Sequence, residues 1–397
     1  MMLQTAQDLP WGTLTGIRPA KIAAKELHSG KSADAAAKAL TEKYHVEPKR
    51  AALCVETAKA AIDMRDGLGE RDVAVYVGIP FCPTRCAYCS FVSNSVERSF
   101  DLVEPFVELL LCEISMMAEI ADKLKLNIIS VYIGGGTPTS LPDEALSKVI
   151  SAVNERFELS ALREYTVEAG RPDTLSKKNI EMITSLGVNR ICINPQTMAQ
   201  ELLDAIGRKH TPEDVINAVE MIKLTDAVMN LDIIAGLSGD TPQGFKKTLD
   251  KVIAFKPENI TVHTLSLKKG SKIMLEGTAL PSVDSVGEML DYAFKCLQGK
   301  GYVPYYLYRQ KYISGGFENI GWCLPGKECI YNICMMEELT TVLAVGGGGV
   351  TKLVSRDNRI ERVFNAKFPR EYLLLTDKLK RKRTEILEFY NFYEQLQ

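Results

Sequence analysis

Residues 76–91 read YVGIPFCPTRCAYCSF, a short β-rich run that stops at Pro80 and opens directly into Cys82, Cys86 and Cys89. The spacing is C-x3-C-x2-C. Three thiolates within eight residues can wrap one metal centre, and soft sulfur ligands select zinc or iron–sulfur clusters. A structural zinc site is normally closed by a fourth Cys or His, yet the next cysteine is Cys112, inside a helical pattern, and the nearest histidine is His45, far upstream. A 4Fe–4S cluster held by three cysteines leaves one iron open to a small molecule.

Outward from this loop, short β-rich runs alternate with longer amphipathic stretches. Strands are predicted over 73–80, 128–133, 164–168, 190–194, 230–234 and 259–265, with helices such as 103–121 and 211–224 between them. This alternation is the mark of βα units building a parallel sheet. Several strands run into Gly134, Gly170, Asn194 or Gly236 at their C-terminal ends, the edge at which parallel α/β folds bind ligands. Residues 1–70, rich in Ala, Lys and Glu, read as a small helical cap preceded by the loop LPWGTLTGIRPAK. From 268 to 397 the pattern changes: a helix at 286–297, the Tyr-rich run GYVPYYLYRQK, a glycine loop at 346–349, a hairpin TKLVSRDNRIERVFN and a basic final helix. The predicted domains are therefore 1–70, 71–267 and 268–397, the last an α+β segment docked on the parallel unit.

The 397 residues are 46% hydrophobic and 25% charged, with a net charge of −2. This is the composition of an ordinary globular protein, and it offers no large cationic field for nucleic acid. No apolar run approaches the ~20 residues that span a bilayer. The start, MMLQTAQDLPWG, shows neither a secretory nor a transit pattern, so a cytoplasmic location is expected. In that setting ten cysteines point to metal or redox chemistry rather than disulfides.

Successive glycines after the second strand, Gly134 to Gly136, let backbone approach a ligand closely. Glu168 closes the third strand, where a carboxylate can take ribose hydroxyls or an amino group, and Gln196 and Asp232 lie at or in the fourth and fifth. Tyr305, Tyr306 and Tyr308 with Arg309 and Lys311 either line a flat anionic ligand or form a half-buried strand. Cys323, Cys329 and Cys334 match no ferredoxin-type spacing and read as buried thiols. The 346–349 loop is a second anion site or a tight turn, KLKRKR from Lys378 is the wet face of a helix, and His210 and His263 are structural.

The cysteine loop, with Tyr88 as the aromatic before its last cysteine, resembles the radical S-adenosylmethionine superfamily. YIGGGTPTSL, YTVEAGRPD, INPQT and LDIIAGL are similar to successive motifs of its oxygen-independent coproporphyrinogen III oxidase family. GIPFC, EAGRPDT, PYYLYRQK and GKECIYNI resemble the coproporphyrinogen dehydrogenase branch. The resemblance implies an incomplete parallel (β/α)6 barrel with a helical N-terminal cap and a C-terminal α+β domain covering substrate at its mouth. It implies a 4Fe–4S cluster on Cys82, Cys86 and Cys89, and S-adenosylmethionine contacted by Tyr76, Tyr88, Gly135, Gly136, Thr137, Glu168, Gln196, Arg208 and Asp232. The implied reaction converts two propionates of coproporphyrinogen III to vinyl groups in haem biosynthesis, with an external flavodoxin- or ferredoxin-like electron donor and with Arg309 and Lys311 as candidate propionate partners. The same frame also carries haem chaperones and haem-degrading methyltransferases. Gly78 stands where the family commonly has His, and Phe91 where well-studied bacterial oxidases carry a further Cys.

Overall fold

The computed structural model describes residues 9–89, 94–96, 99–266, 271–310, 313–357, 359–374 and 376–394. Six strands follow one another with helices between: β1 (Asp72–Ile79), β2 (Asn127–Gly135), β3 (Glu164–Ala169), β4 (Arg190–Gln196), β5 (Val228–Ala235) and β6 (Asn259–Thr264). Each pairs in parallel with its predecessor. Helices cover one side and side chains fill the other, so both faces are buried, seven of eight residues in β1. That is why these strands read as apolar runs rather than as an alternation. Their helices carry their own start signals, among them the capping boxes Ser176/Asn179 and Thr211/Asp214, the latter with Pro212 at the first helical position.

Ahead of the sheet lie the helices Ala20–His28, Ala33–Tyr44 and Pro48–Asp66. After it, β7 (Val303–Arg309) and β8 (Glu318–Cys323) extend the β6 edge antiparallel. β9 (Val342–Gly346) joins β1 in parallel and leads into the hairpin β10 (Val350–Val354) and β11 (Ile360–Phe364). The result is one eleven-stranded, mostly parallel sheet ordered β11-β10-β9-β1-β2-β3-β4-β5-β6-β8-β7. It is an α/β fold built on an open (β/α)6 unit with a helical N-terminal layer.

The C-terminal segment, which the sequence reading sets over the mouth of the barrel, reaches both of its ends: at the mouth, just past β6, Ser314 donates its amide to the Leu265 carbonyl at 3.2 Å. Its strands prolong the sheet at both edges, and the turn before helix Ile330–Glu337 closes the opposite end. There Ile330 and Tyr331 donate their amides to Glu164 (2.9 and 3.1 Å), while Arg190 and Asn259 donate to the Lys327 carbonyl (3.0 and 2.9 Å). Glu164, Arg190 and Asn259 are the first residues of β3, β4 and β6, so residues 327–331 form the floor.

The 346–349 loop is a turn whose four amides all have partners inside the protein: Glu113, Gly78, Ala366 and Gly346. It also accounts for Gly78, because a Cβ there would lie 2.5 Å from the Gly347 carbonyl oxygen. The basic run does not all face water either. Lys382 is 3% exposed and sits on the face of the final helix that carries Ile386 and Phe389, where it bonds Glu113 at 2.9 Å. Glu113, wholly buried on helix Val103–Lys123, also accepts from Asn365 and Tyr372. Among the described residues, no helix is long and apolar enough to cross a membrane.

Candidate functional site

The three cysteines of the loop after β1 are all half-buried, and none is in a disulfide. The loop is fastened from several elements. Cys82 lies in a two-residue ladder with Asn94–Ser95, and Thr84 donates to the Gly207 carbonyl at 3.0 Å. Arg171, beyond β3, donates to the Thr84 hydroxyl at 2.7 Å, and the Ala87 amide reaches the Ile206 carbonyl. Among the described residues no three His, Cys, Asp or Glu side chains converge as they would around a single ion.

Beside this loop stands the glycine triplet. Gly135 takes φ +110°, and a Cβ on Gly136 would lie 2.3 Å from the Phe81 carbonyl oxygen, so only glycine lets the end of β2 press against the cysteine loop. The amides of Gly136 and Thr137 donate to the Ile79 and Phe81 carbonyls (2.7 Å each), and that of Gly135 donates to Glu168 (3.2 Å). The Thr137 hydroxyl is 3.5 Å from the Cys82 sulfur. These amides are therefore engaged within the protein.

Glu168 is placed by the ends of β2 and β3 together, accepting from Gly135 and, at 2.5 Å, from the Tyr132 hydroxyl. Burial pushes its pKa up to about 7, with Asp232 adding to the rise and the two hydrogen bonds opposing it. Asp232 accepts from Asn230 (2.7 Å) and faces His263 Nε2 at 3.4 Å; Tyr308 faces the other ring nitrogen at 3.5 Å. Gln196 follows a bulge in β4 and sits at φ +66° with its Oε1 buried and unpartnered. Arg208 is buried rather than on the surface: it bonds the Gly170 and Asn194 carbonyls and, at 3.2 Å, the Tyr88 hydroxyl, leaving Nε unpartnered. Burial first, and then Arg208 and Arg171, lower the pKa of His210 to about 3 and keep it neutral.

Below these groups the barrel interior is aromatic. Tyr76, Tyr132 and Tyr331 form a stack with ring centres 4.3 to 6.3 Å apart. Tyr305 has no partner residue opposite it on β8, and this bulge turns both Tyr305 and Tyr306 into the interior. Gly321 makes room for them, since a Cβ there would lie 1.9 Å from the Tyr306 ring. Arg309 is directed elsewhere, to the Leu14 and Gly316 carbonyls and over the Trp11 ring, where burial lowers its pKa. Lys311 lies outside the described residues. Cys323, Cys329 and Cys334 are buried, and burial raises all three thiol pKa values, that of Cys334 to about 12.

The sequence reading brings together the cysteine loop, the glycine triplet, Glu168, Asp232, Gln196, Arg208, Tyr76 and Tyr88. It missed Tyr132, Arg171 and Tyr331, and took His263 as purely structural. All three lie inside quoted motifs, Tyr331 in GKECIYNI, but nothing within a motif shows that residues from such distant segments meet.

A sequence model of the radical SAM superfamily matches residues 76–252. The oxygen-independent coproporphyrinogen-III oxidase-like protein HemZ of Bacillus subtilis is 37% identical over 91% of this chain and 74% of its own length. The heme chaperone HemW of Lactococcus lactis is 32% identical over 66% of this chain and 64% of its own. Among solved structures, the coproporphyrinogen III oxidase HemN of Escherichia coli, described as a radical SAM enzyme, superposes with a TM-score of 0.61 at 19% identity, over 81% of this chain and 72% of that one. The chain belongs to the radical SAM superfamily, in the family of oxygen-independent coproporphyrinogen III oxidase-like proteins. That family uses a 4Fe–4S cluster and S-adenosylmethionine. The residues present fit both: three half-buried thiols suit iron–sulfur, and the buried, unpartnered Asn194 Oδ1, Gln196 Oε1 and Arg208 Nε at the mouth await a polar ligand.

Proposed function

We propose that this protein is an oxygen-independent coproporphyrinogen III oxidase, converting two propionates to vinyl groups to give protoporphyrinogen IX. Each propionate would lose a hydrogen atom to the cofactor-derived radical and then CO2, the remaining electron passing to an external one-electron acceptor. Held by residues of this site, the cluster and S-adenosylmethionine would supply the radical chemistry that removes that hydrogen. Cys82, Cys86 and Cys89 would hold the cluster. The glycine loop, its amides engaged, would offer carbonyl oxygens to an amino group, Glu168 and Asp232 would orient the cofactor, and the tyrosines below would pack against the macrocycle. The observation that carries this reading is the aromatic interior directly beneath the Glu168–Asp232 pair.

A haem chaperone is the second reading, favoured by the similarity to HemW proteins. Against it, His263 is the histidine nearest this interior, and both its ring nitrogens already face partners. Anaerobic incubation of the reconstituted protein with reductant, S-adenosylmethionine and either coproporphyrinogen III or haem, followed by mass analysis of the tetrapyrrole, decides between them. Vinyl products support the oxidase; tight haem binding without decarboxylation supports the chaperone.

Glu168→Gln keeps the shape of the side chain but removes its charge, so S-adenosylmethionine affinity is expected to fall roughly tenfold or more, from a lost charge-assisted hydrogen bond of about 1.5–3 kcal/mol. The carboxyl titrates near 7, and only its ionised form suits a cationic cofactor. Affinity should therefore drop as pH falls from 8 to 6 in the parent and stay flat in Glu168→Gln. Because the folded-state pKa lies above the ordinary 4.5, the same group makes folding less favourable as pH rises from 4.5 to about 7, and the loss is complete above that. Equal affinity in the two proteins at pH 8 would leave Glu168 a structural role only.

A further inference from the structure

The electron that starts the reaction has to reach the cysteine loop from outside, and one surface segment is connected to that loop by packed rings. Helix Pro369–Leu373 turns Tyr372 fully inward and leaves Phe368, Arg370 and Leu374 in water, Leu374 at 83% exposure. The Tyr372 ring lies 5.0 Å from Phe106, and Phe106 meets Phe81 edge-on at 5.3 Å. Phe81 immediately precedes Cys82. The hydrogen bond from Tyr372 to Glu113 (2.6 Å) fixes the outer end of this aromatic row.

The charge of the segment differs from that of the whole chain. Residues 367–383 contain seven Lys or Arg against two Asp or Glu, although Lys382 is buried against Glu113 and Arg381 and Arg383 pair with Glu385 and Glu119; the protein carries a net −2. Lys367 and Arg370 are exposed and make no ion pair among the described residues. A patch with an apolar centre and a cationic rim is the surface expected of a small, transient interface, in which apolar contact gives the fit and rim charge sets the encounter rate.

We propose that this patch is the docking surface of the one-electron donor, a small acidic redox protein that carries its redox group at its own surface. The proposal rests on the reading that Cys82, Cys86 and Cys89 hold the reducible cluster. It places the donor on the outer side of helix Val103–Lys123, so that electron delivery does not compete with substrate for the mouth.

The test uses the cluster-loaded protein with reduced flavodoxin as probe and dithionite as a donor that needs no docking. In Lys367→Glu/Arg370→Glu, bleaching of the cluster absorbance by flavodoxin is expected to slow at least tenfold at low salt, and flavodoxin binding in surface plasmon resonance to weaken in parallel; dithionite bleaching stays at the parental rate. Added salt should slow the parent with flavodoxin alone, because exposed charges are screened over a Debye length of about 10 Å at 0.1 M. Leu374→Glu tests the apolar centre with the same readouts. Parental flavodoxin binding and bleaching in both variants would overturn the docking surface. A parent that binds flavodoxin, with the variants impaired, but fails to cleave S-adenosylmethionine with either donor would overturn the functional reading and leave the docking surface standing.

Discussion

Replacing Cys82, Cys86 or Cys89 singly by Ala is expected to abolish the brown iron–sulfur chromophore and all reductive cleavage of S-adenosylmethionine. Bound iron should fall from about four per chain to background, since a cluster that already has one iron without a protein thiolate cannot lose another ligand and persist. Cys323→Ala and Cys329→Ala should keep parental iron. Both are buried, their thiol pKa values are raised by burial, and Cys329 already donates to Glu164 at 3.3 Å. Iron and sulfide assays with visible spectra after anaerobic reconstitution measure this. An equal iron loss in Cys323→Ala would mean that the late cysteines take part in a second centre, and the single-cluster arrangement would fall.

Lys382→Ala is expected to destabilise the fold by about 3–5 kcal/mol, because it strands the Glu113 carboxylate in a fully buried site. Gly346, Asn365 and Tyr372 still donate to that carboxylate, but none of them neutralises it. Thermal unfolding followed by far-ultraviolet circular dichroism should show a drop of several degrees, and Glu113→Gln/Lys382→Met should recover much of it, since removing both charges relieves the unpaired ion. A Lys382→Ala midpoint equal to that of the parent would show that water reaches Glu113 and that the final helix is not pinned there.

The cysteine loop, the six parallel strands, the glycine triplet and the acids at the strand ends were legible because their signals are local. A C-x3-C-x2-C spacing, an apolar run closed by Gly or Pro, and a capping box each lie within a dozen residues. Once the strands are known to be parallel and consecutive, their C-terminal ends must meet, so Gly135, Glu168, Gln196 and Asp232 must share an edge. The Gly78 departure from the family pattern was visible in the sequence, but its reason was not: the space is taken by Gly347, on a loop joined to β1 only through the sheet.

By itself, then, the sequence determined the α/β class, the consecutive strands and the metal-ligand chemistry of the loop after β1. Only the tertiary structure decided that Tyr331 completes a stack with Tyr76 and Tyr132, that a bulge turns Tyr305 inward beside Tyr306, that Arg309 holds the N-terminal loop, that residues 327–331 form the floor, and that one lysine of a basic run is buried against Glu113. The physical reason is sequence distance. Each of these contacts depends on the position of another segment, up to 295 residues away for Arg309 and Leu14. A residue's own neighbours set its helix or strand preference, whereas what it touches across a core is set only when the chain closes on itself.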